Sequence, residues 1–391
     1  MRRFCLKMLA LAGLLAVPGM PTYAAPPQTS APHAILIEAE SGSVLFEKSA
    51  DALVAPASLA KLMTVDVVFE QLELGNIKLT DAFVVSENAW RKGGAMSSGS
   101  TMYAALHSRV KVEDLLKGVI IQSANDGCII LAEGIAGNEA SFVRMMNDRA
   151  RELGLTKSTF TNAEGLPDPK MRVTPRELAM VARHVATTYP EYYKWFAERE
   201  FTWNKIRQQN RNPLLGTVEG VDGMKTGFTN EAGYNLAASA TRNGLRLVVV
   251  VTGLKNAKDR ADEAKKLLEY GFREFDSRIL FAENQILAEA KVYGGAQGKV
   301  PVTARQQIKL MVPRTASERI SAKMVYVGPV QAPVREGQPI GHLQVSRGDT
   351  KVLEVPLQAT ESVPVGSATQ RAFDAATELV VNVFRSAAKR L

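Results

Sequence analysis

Pro56-Ala57-Ser58-Leu59-Ala60-Lys61-Leu62-Met63-Thr64 runs straight into an apolar-periodic segment, Val65 to Leu72. That pattern predicts the first turns of a buried helix. Pro56, just ahead, suits the approach to a helix start. Residues three apart share a helical face, so Ser58 and Lys61 point the same way, a hydroxyl beside an amine. Such a pair has the makings of a nucleophile and its base. Ser-x-x-Lys also recurs by chance in long chains, so its weight depends on what the rest of the sequence supplies.

The chain has 391 residues, room for two or three domains. A hydrophobic fraction of 46% with 23% charged residues is that of a globular protein with a sizeable core. The net charge of +8 favours anionic surroundings. Zinc-finger spacing and aromatic-studded basic runs are missing from the sequence, which argues against nucleic acid as a partner. Arg2, Arg3 and Lys7 precede an apolar stretch, Met8 to Val17, and Thr22-Tyr23-Ala24 has the small residues of a cleavage site. Residues 1–24 therefore read as a secretory signal peptide, too short in its apolar run to span a bilayer. The Ala/Pro/Ser-rich residues 25–32 read as a disordered linker. Cys5 leaves with the signal, so Cys128 has no partner for a disulfide, and a small buried hydrophobe is its expected role. His33, His107, His184 and His342 are scattered without ligand spacing, and no metal or cofactor is implied.

Ala34–Glu38 and Val44–Glu47 are β-prone around Glu40-Ser41-Gly42-Ser43, a hairpin pattern. Residues 86–101 are Gly/Ser-rich and read as loop, either the rim of a site or plain surface. Val112–Ile121 and Gly127–Ile135 are helical by period, interrupted at Gln122-Ser123-Ala124-Asn125-Asp126, where polar side chains compete with the backbone. Glu139–Leu153 is amphipathic, and Thr174-Pro175-Arg176-Glu177 has the form of a capping box. Asn243-Gly244 between Tyr234–Ala240 and Leu245–Thr252 is a strong hairpin signal, and Asp259–Glu274 returns to helix. Helices between two groups of strands predict an α+β domain over 33–285 with a sheet built from both chain ends. Trp90, Trp195 and Trp203 read as packing residues. From 286 to 366, strand-like runs (Val300–Thr303, Ile308–Val312, Lys323–Val327, Ile340–Val345, Val352–Leu357) alternate with turns, predicting a small all-β sandwich or barrel. Residues 367–391 carry Phe373, Ala376, Val380, Phe384, Ala387 and Leu391 at helical spacing with Arg371, Arg385, Lys389 and Arg390, the pattern of an amphipathic helix lying on an anionic membrane surface.

Three short motifs occur in order: Ser58-Leu59-Ala60-Lys61, Ser123-Ala124-Asn125 and Lys225-Thr226-Gly227. Ser-x-x-Lys, Ser-x-Asn and Lys-Thr-Gly together mark active-site serine enzymes that recognise penicillin. A serine hydroxyl needs a base to become a nucleophile, and Lys61 serves only if neutral. Burial and a second cation, Lys225, both lower a lysine pKa, as does the positive end of a helix. Ser123 is placed to relay a proton to a leaving amine, Asn125 to donate to and accept from a peptide, and Lys225 with Thr226 to hold a carboxylate. Gly227 permits close backbone approach at a sheet edge. The backbone N–H groups of Ser58 and Phe228 are the oxyanion candidates.

The chain resembles the low-molecular-mass penicillin-binding proteins of the serine-type D-alanyl-D-alanine carboxypeptidase family. The resemblance includes Pro56–Thr64, Gly118–Asp126, Val221–Gly227, Asn204-Lys205-Ile206-Arg207 and Gly233-Tyr234-Asn235-Leu236, and covers essentially all of the mature chain. It implies a β-lactamase/transpeptidase-like catalytic domain, a C-terminal β-rich domain and a membrane-associating helix. It also implies removal of the terminal D-alanine from peptidoglycan pentapeptide stems through an acyl-enzyme on Ser58, which β-lactams also acylate, on the periplasmic face of the inner membrane. Arg211, in Asn210-Arg211-Asn212, and Arg260 match basic positions that bind the terminal carboxylate. Ala124 stands where many relatives have Gly or Asp, and Phe228 where relatives often carry Thr, His or Tyr. Two other readings differ in outcome. A class A β-lactamase would add a glutamate-activated water, and no Glu-x-x-x-Asn element between the second and third motifs is read as matching it. A non-enzymatic envelope scaffold would have no need of the three motifs.

Overall fold

The computed structural model of the protein describes residues 27–314, 320–348, 350–372 and 375. The signal segment 1–24 and most of the terminal helix 367–391 fall outside the described residues. The chain opens on the hairpin β1 (His33–Glu38) and β2 (Val44–Lys48). Its turn is held by the Glu38 carboxylate, which accepts from the backbone N–H groups of Glu40 (2.6 Å) and Ser41 (2.7 Å). A 3₁₀ turn, Ala57–Ala60, leads into α1 (Lys61–Glu73). The ribbon β3 (Ala82–Val84) and β4 (Arg109–Lys111) brackets α2 (Glu87–Lys92). Then come α3 (Val112–Lys117), α4 (Asn125–Ala136), α5 (Glu139–Glu152), α6 (Pro175–Thr188), α7 (Pro190–Tyr193) and the ribbon β5 (Glu200–Trp203) with β6 (Ile206–Gln209). Three long strands, β7 (Val221–Thr229), β8 (Gly233–Arg242) and β9 (Leu245–Leu254), precede α8 (Ala257–Glu274).

The main sheet has the order β2-β1-β9-β8-β7, so both chain ends build it and β7 is its free edge. Asn243 and Gly244 both have positive φ (49° and 78°), the conformation that a tight two-residue hairpin demands. Strand β9 is buried on both faces. Val248 and Val250 join the helical core with α1, α4 and α6, while Leu247, Val249 and Val251 pack with α8. The sheet is thus a middle layer, with α1 sealed on one side of it. Nine consecutive α1 residues, Lys61 to Phe69, are buried.

Four local expectations are revised. Residues 87–92, read as loop, form α2, because the Ser86 side chain caps it by accepting from the Ala89 N–H (2.9 Å). The helix break is shorter than the polar run suggests: α4 begins at Asn125, and the preceding residues 118–122 form a π-helical turn that ends at Ser123 in the left-handed conformation (φ 66°). The capping box on α6 is half formed. Thr174 accepts from the Glu177 N–H (3.1 Å), but the Glu177 carboxylate turns away to accept from the Thr156 and Lys157 N–H groups. Residues 28–31, read as disordered, lie against α8: Ser30 donates to Glu263 (3.1 Å), Lys266 donates to the Gln28 carbonyl (3.0 Å) and Ala31 is fully buried.

After α8 the chain is all β. β10 (Phe275–Phe281) pairs with β13 (Ile308–Pro313), so strand pairing of the C-terminal part begins inside the span assigned to the first domain. β11 (Ala288–Tyr293), β12 (Lys299–Thr303), β14 (Ile320–Val325), β15 (Val330–Gln331), β16 (Pro339–Arg347) and β17 (Thr350–Ala359) form a six-stranded sheet ordered β14-β16-β17-β12-β11-β15. A separate core of Val300, Val302, Leu310, Leu343, Val345 and their neighbours supports it. Lys309 meets Glu40 of the first hairpin at 2.9 Å. Among the described residues no helix is long and apolar enough to cross a membrane.

Candidate active site

Ser58 sits on the 3₁₀ turn just ahead of α1, half-buried, with Lys61 one turn on. Ala57 has φ 48°, an uncommon conformation for alanine, and two glycines let the rest of the fold close around this turn. A side chain at Gly165 would place its Cβ 2.0 Å from the Ala57 carbonyl oxygen. One at Gly227 would stand 3.1 Å from the Pro56 carbonyl oxygen and 3.2 Å from the Ser58 nitrogen. Gly227 therefore brings the edge strand β7 against the serine turn.

Lys61 is wholly buried, and its Nζ donates to Ser58 Oγ (3.1 Å), to Asn125 Oδ1 (2.8 Å) and to the Glu164 carbonyl oxygen. Burial pushes its pKa down, and Arg211 pushes the same way. Cys128, Glu164 and Asp126 pull it up. An ammonium has three N–H donors, enough for all three acceptors. A neutral amine has two, which satisfy Asn125 and Glu164 and leave the nitrogen lone pair for the Ser58 hydroxyl proton.

The second motif is anchored by Asp126. Its buried carboxylate accepts from Thr101 Oγ1 (2.7 Å) and from the N–H groups of Met102 (3.0 Å) and Ala104 (3.1 Å), while the Asn125 N–H donates to the Ser100 carbonyl (2.7 Å). These bonds hold the Gly/Ser-rich loop over the site, so the loop is a rim rather than plain surface. Ser123 projects from its left-handed position with Oγ buried and without a hydrogen-bond partner among the described residues.

A cavity of about 480 Å³ is lined by Ser58, Ser98, Gly99, Ser100, Ser123, Arg211, Thr226, Gly227, Phe228 and Arg260. Seven of the ten residues assigned to the site from sequence thus meet at one opening; Lys61, Asn125 and Lys225 stand behind its wall. Lys225, expected to hold a carboxylate together with Thr226, is buried, and its Nζ donates to the Thr226 carbonyl (3.2 Å). Its pKa lies well below the usual lysine range, through burial first and then the nearby cations Lys61 and Arg211. At the mouth Arg211 donates to Ser100 Oγ (2.7 Å). The Arg260 guanidinium lies 5.6 Å from the Tyr234 ring centre, and the half-exposed Phe228 packs on that ring at 4.3 Å.

Sequence reasoning gave no role to Glu164 or Glu139, and none to Tyr234 beyond its place in the Gly233-Tyr234-Asn235-Leu236 resemblance. The signal for the first was Gly165, whose positive φ of 78° forces the chain against the serine turn. Cys128 is buried, and burial pushes its thiol up to about 12, in keeping with a packing role. The tryptophans also pack: Trp195 is buried against Phe69 and Tyr192, and Trp90 and Trp203 border the same core. A Glu-x-x-x-Asn spacing does occur, at Glu200–Asn204, but it lies on the β5–β6 ribbon, where Glu200 pairs with Arg207 at the surface.

Residues 20–256 match the D-alanyl-D-alanine carboxypeptidase family, and residues 275–365 match the C-terminal domain of penicillin-binding protein 5. The chain is 39% identical over 351 residues to the D-alanyl-D-alanine carboxypeptidase DacC of Escherichia coli, a match covering 89% of this chain and 88% of that one. Penicillin-binding protein 5 from Haemophilus influenzae has a similar structure, with a TM-score of 0.76 and 37% identity over 87% of this chain and 99% of that one. Penicillin-binding protein D2 from Listeria monocytogenes, in an ampicillin-bound form, is similar over 63% of this chain and 98% of its own, with a TM-score of 0.57 and 31% identity.

Proposed function

The chain belongs to the serine-type D-alanyl-D-alanine carboxypeptidases of the penicillin-binding protein group, and on that premise we propose that Ser58 is the nucleophile and Lys61 its base. The carrying observation is a fully buried lysine whose Nζ lies 3.1 Å from the serine oxygen. Neutral Lys61 takes the Ser58 proton as Oγ attacks the carbonyl of the penultimate D-alanine of a peptidoglycan pentapeptide stem. The developing oxyanion is held by the backbone N–H groups of Ser58 and Phe228. The proton on Lys61 passes through Ser123 to the departing amine, the terminal D-alanine leaves with Lys61 neutral again, and water then hydrolyses the acyl-enzyme, returning a proton to Ser58 Oγ. Asn125 keeps the Lys61 amine aimed. Thr226, Arg211 and Arg260 face the terminal carboxylate, while Lys225, behind the wall, donates to the Thr226 carbonyl and supports that part of strand β7. A β-lactam presents its own carbonyl and carboxylate to the same groups and acylates Ser58.

The signal-like residues 1–24 and the basic amphipathic pattern of 367–391 support a further reading: the mature enzyme acts outside the cytoplasm, held peripherally on the periplasmic face of the inner membrane. Incubating the mature protein with a fluorescent penicillin and mapping the adduct by mass spectrometry is expected to find it on Ser58. Folded wild-type protein that stays unlabelled would sink the mechanism. A pentapeptide stem is expected to lose one alanine. Removing residues 367–391 is expected to release the enzyme from anionic vesicles.

A further inference from the structure

Behind Lys61 lies a second group of titratable side chains that the reaction above does not use. Glu164 contributes its carbonyl oxygen to the Lys61 ammonium, while the residue itself, only 1% exposed, is not among those lining the cavity. The Glu164 carboxyl meets the carboxylate of Glu139, in the first turn of α5, and its Oε2 is buried without a hydrogen-bond partner among the described residues. Glu139 in turn accepts from Lys92 of α2 (3.2 Å) and from the Ala163 N–H (3.4 Å). The Ala163 carbonyl accepts from Thr64 of α1 (2.6 Å), and Asn162 Oδ1 accepts from the Gly165 N–H (2.8 Å). The loop carrying the lysine's acceptor is thus fixed from α1, α2 and α5.

Two carboxyl groups in hydrogen-bond contact need a proton between them, because two adjacent carboxylates repel. We propose that Glu164 is a positioning residue for Lys61: its carboxylic acid, donating to Glu139, fixes the carbonyl that accepts from the lysine, and loss of that proton sets the alkaline limit of acylation. The proposal rests on Lys61 being the base. The charged and titratable groups that face Glu164 are Lys61 from α1, Lys92 from α2, Cys128 from α4 and Glu139 from α5. Burial and Glu139 together push Glu164 up to about 8, against the pull of Lys61. Below that pH the pair carries one negative charge, offset by Lys92. Above it, a second negative charge appears beside Lys61, which favours the ammonium over the amine, and the anchor of the loop is broken. Both effects slow acylation.

The test is the pH dependence of the acylation rate with a fluorescent penicillin from pH 6 to 10, measured on the wild type, Glu164→Gln and Glu139→Gln. The wild type is expected to rise as Lys61 loses its proton and to fall near pH 8. Glu164→Gln keeps a donor to Glu139 but cannot ionise, so its falling limb is expected to disappear. Glu139→Gln removes the acceptor and charge that hold the proton, so its falling limb is expected to move to lower pH. A role that is only structural would lower the rate at every pH without moving the limb. Glu164→Gln with the wild-type falling limb would overturn the proposal. Should circular dichroism show that variant unfolded, an unmoved limb in Glu139→Gln overturns it instead. Failure of the base assignment reads differently: Lys61→Met would then still be acylated.

Discussion

Lys61 is surrounded by three acceptors, which suits an ammonium, yet burial presses it toward the amine. That opposition is what a catalytic lysine requires, because the proton it takes from Ser58 must later be given up. With its pKa lowered, the amine form appears at a lower pH than it would on a surface lysine, so acylation rises with pH toward that lowered value and not toward 10.5. Arginine stays protonated throughout this range. Lys61→Arg is therefore expected to lose about 10²- to 10⁴-fold in acylation rate, with no rising limb, as read by stopped-flow labelling. At this scale much of the site is legible in sequence, because Ser58, Lys61, Ser123, Asn125, Thr226 and Gly227 lie in motifs short enough for local structure to fix their geometry. Lys225 and Glu164 are harder to read. The direction of Lys225 depends on which face of the edge strand meets α4, and the contact of Glu164 with Lys61 spans 103 residues.

At the scale of elements, the serine turn is a 3₁₀ segment held between an edge strand and a loop, both reaching it through glycine. Gly165→Ala would combine a positive φ with a Cβ 2.0 Å from a carbonyl oxygen. About 1–3 kcal/mol of strain is expected from the backbone conformation, read as a shift in the urea midpoint, together with slower acylation as the Ser58 turn is pushed out of place. The hairpin at Asn243-Gly244 and helix α8 could be read directly, since each carries its own turn or cap residues. β10 could not. Its residues follow α8 without a break, and their strand character comes from pairing with β13, far along the chain.

For the whole molecule, the last residue lining the catalytic cavity is Arg260, ahead of the C-terminal β part. The two parts share the Lys309–Glu40 pair and the packing of Phe275 and Met311 beneath α8. An exposed ion pair contributes about 0–1 kcal/mol, and Glu40 is 54% exposed. A chain ending at Phe281 is thus expected to melt a few degrees lower through the loss of Met311, while its rate of labelling by fluorescent penicillin stays within about threefold of the full chain. The β-rich character of 286–366 was legible from its spacing of short apolar runs and turns. Its division into a two-stranded ribbon and a six-stranded sheet was not, because strand order depends on pairings between distant segments.

Cys128 gives the fold an internal clock. The thiol sits on α4 between the base and the core, and with its pKa near 12 almost none of it is thiolate at neutral pH. Alkylating reagents can reach it only when α4 separates from its neighbours. Its rate of modification by iodoacetamide therefore counts openings of the catalytic core, and acylation of Ser58 by a β-lactam is expected to slow that count by tying the serine turn to strand β7.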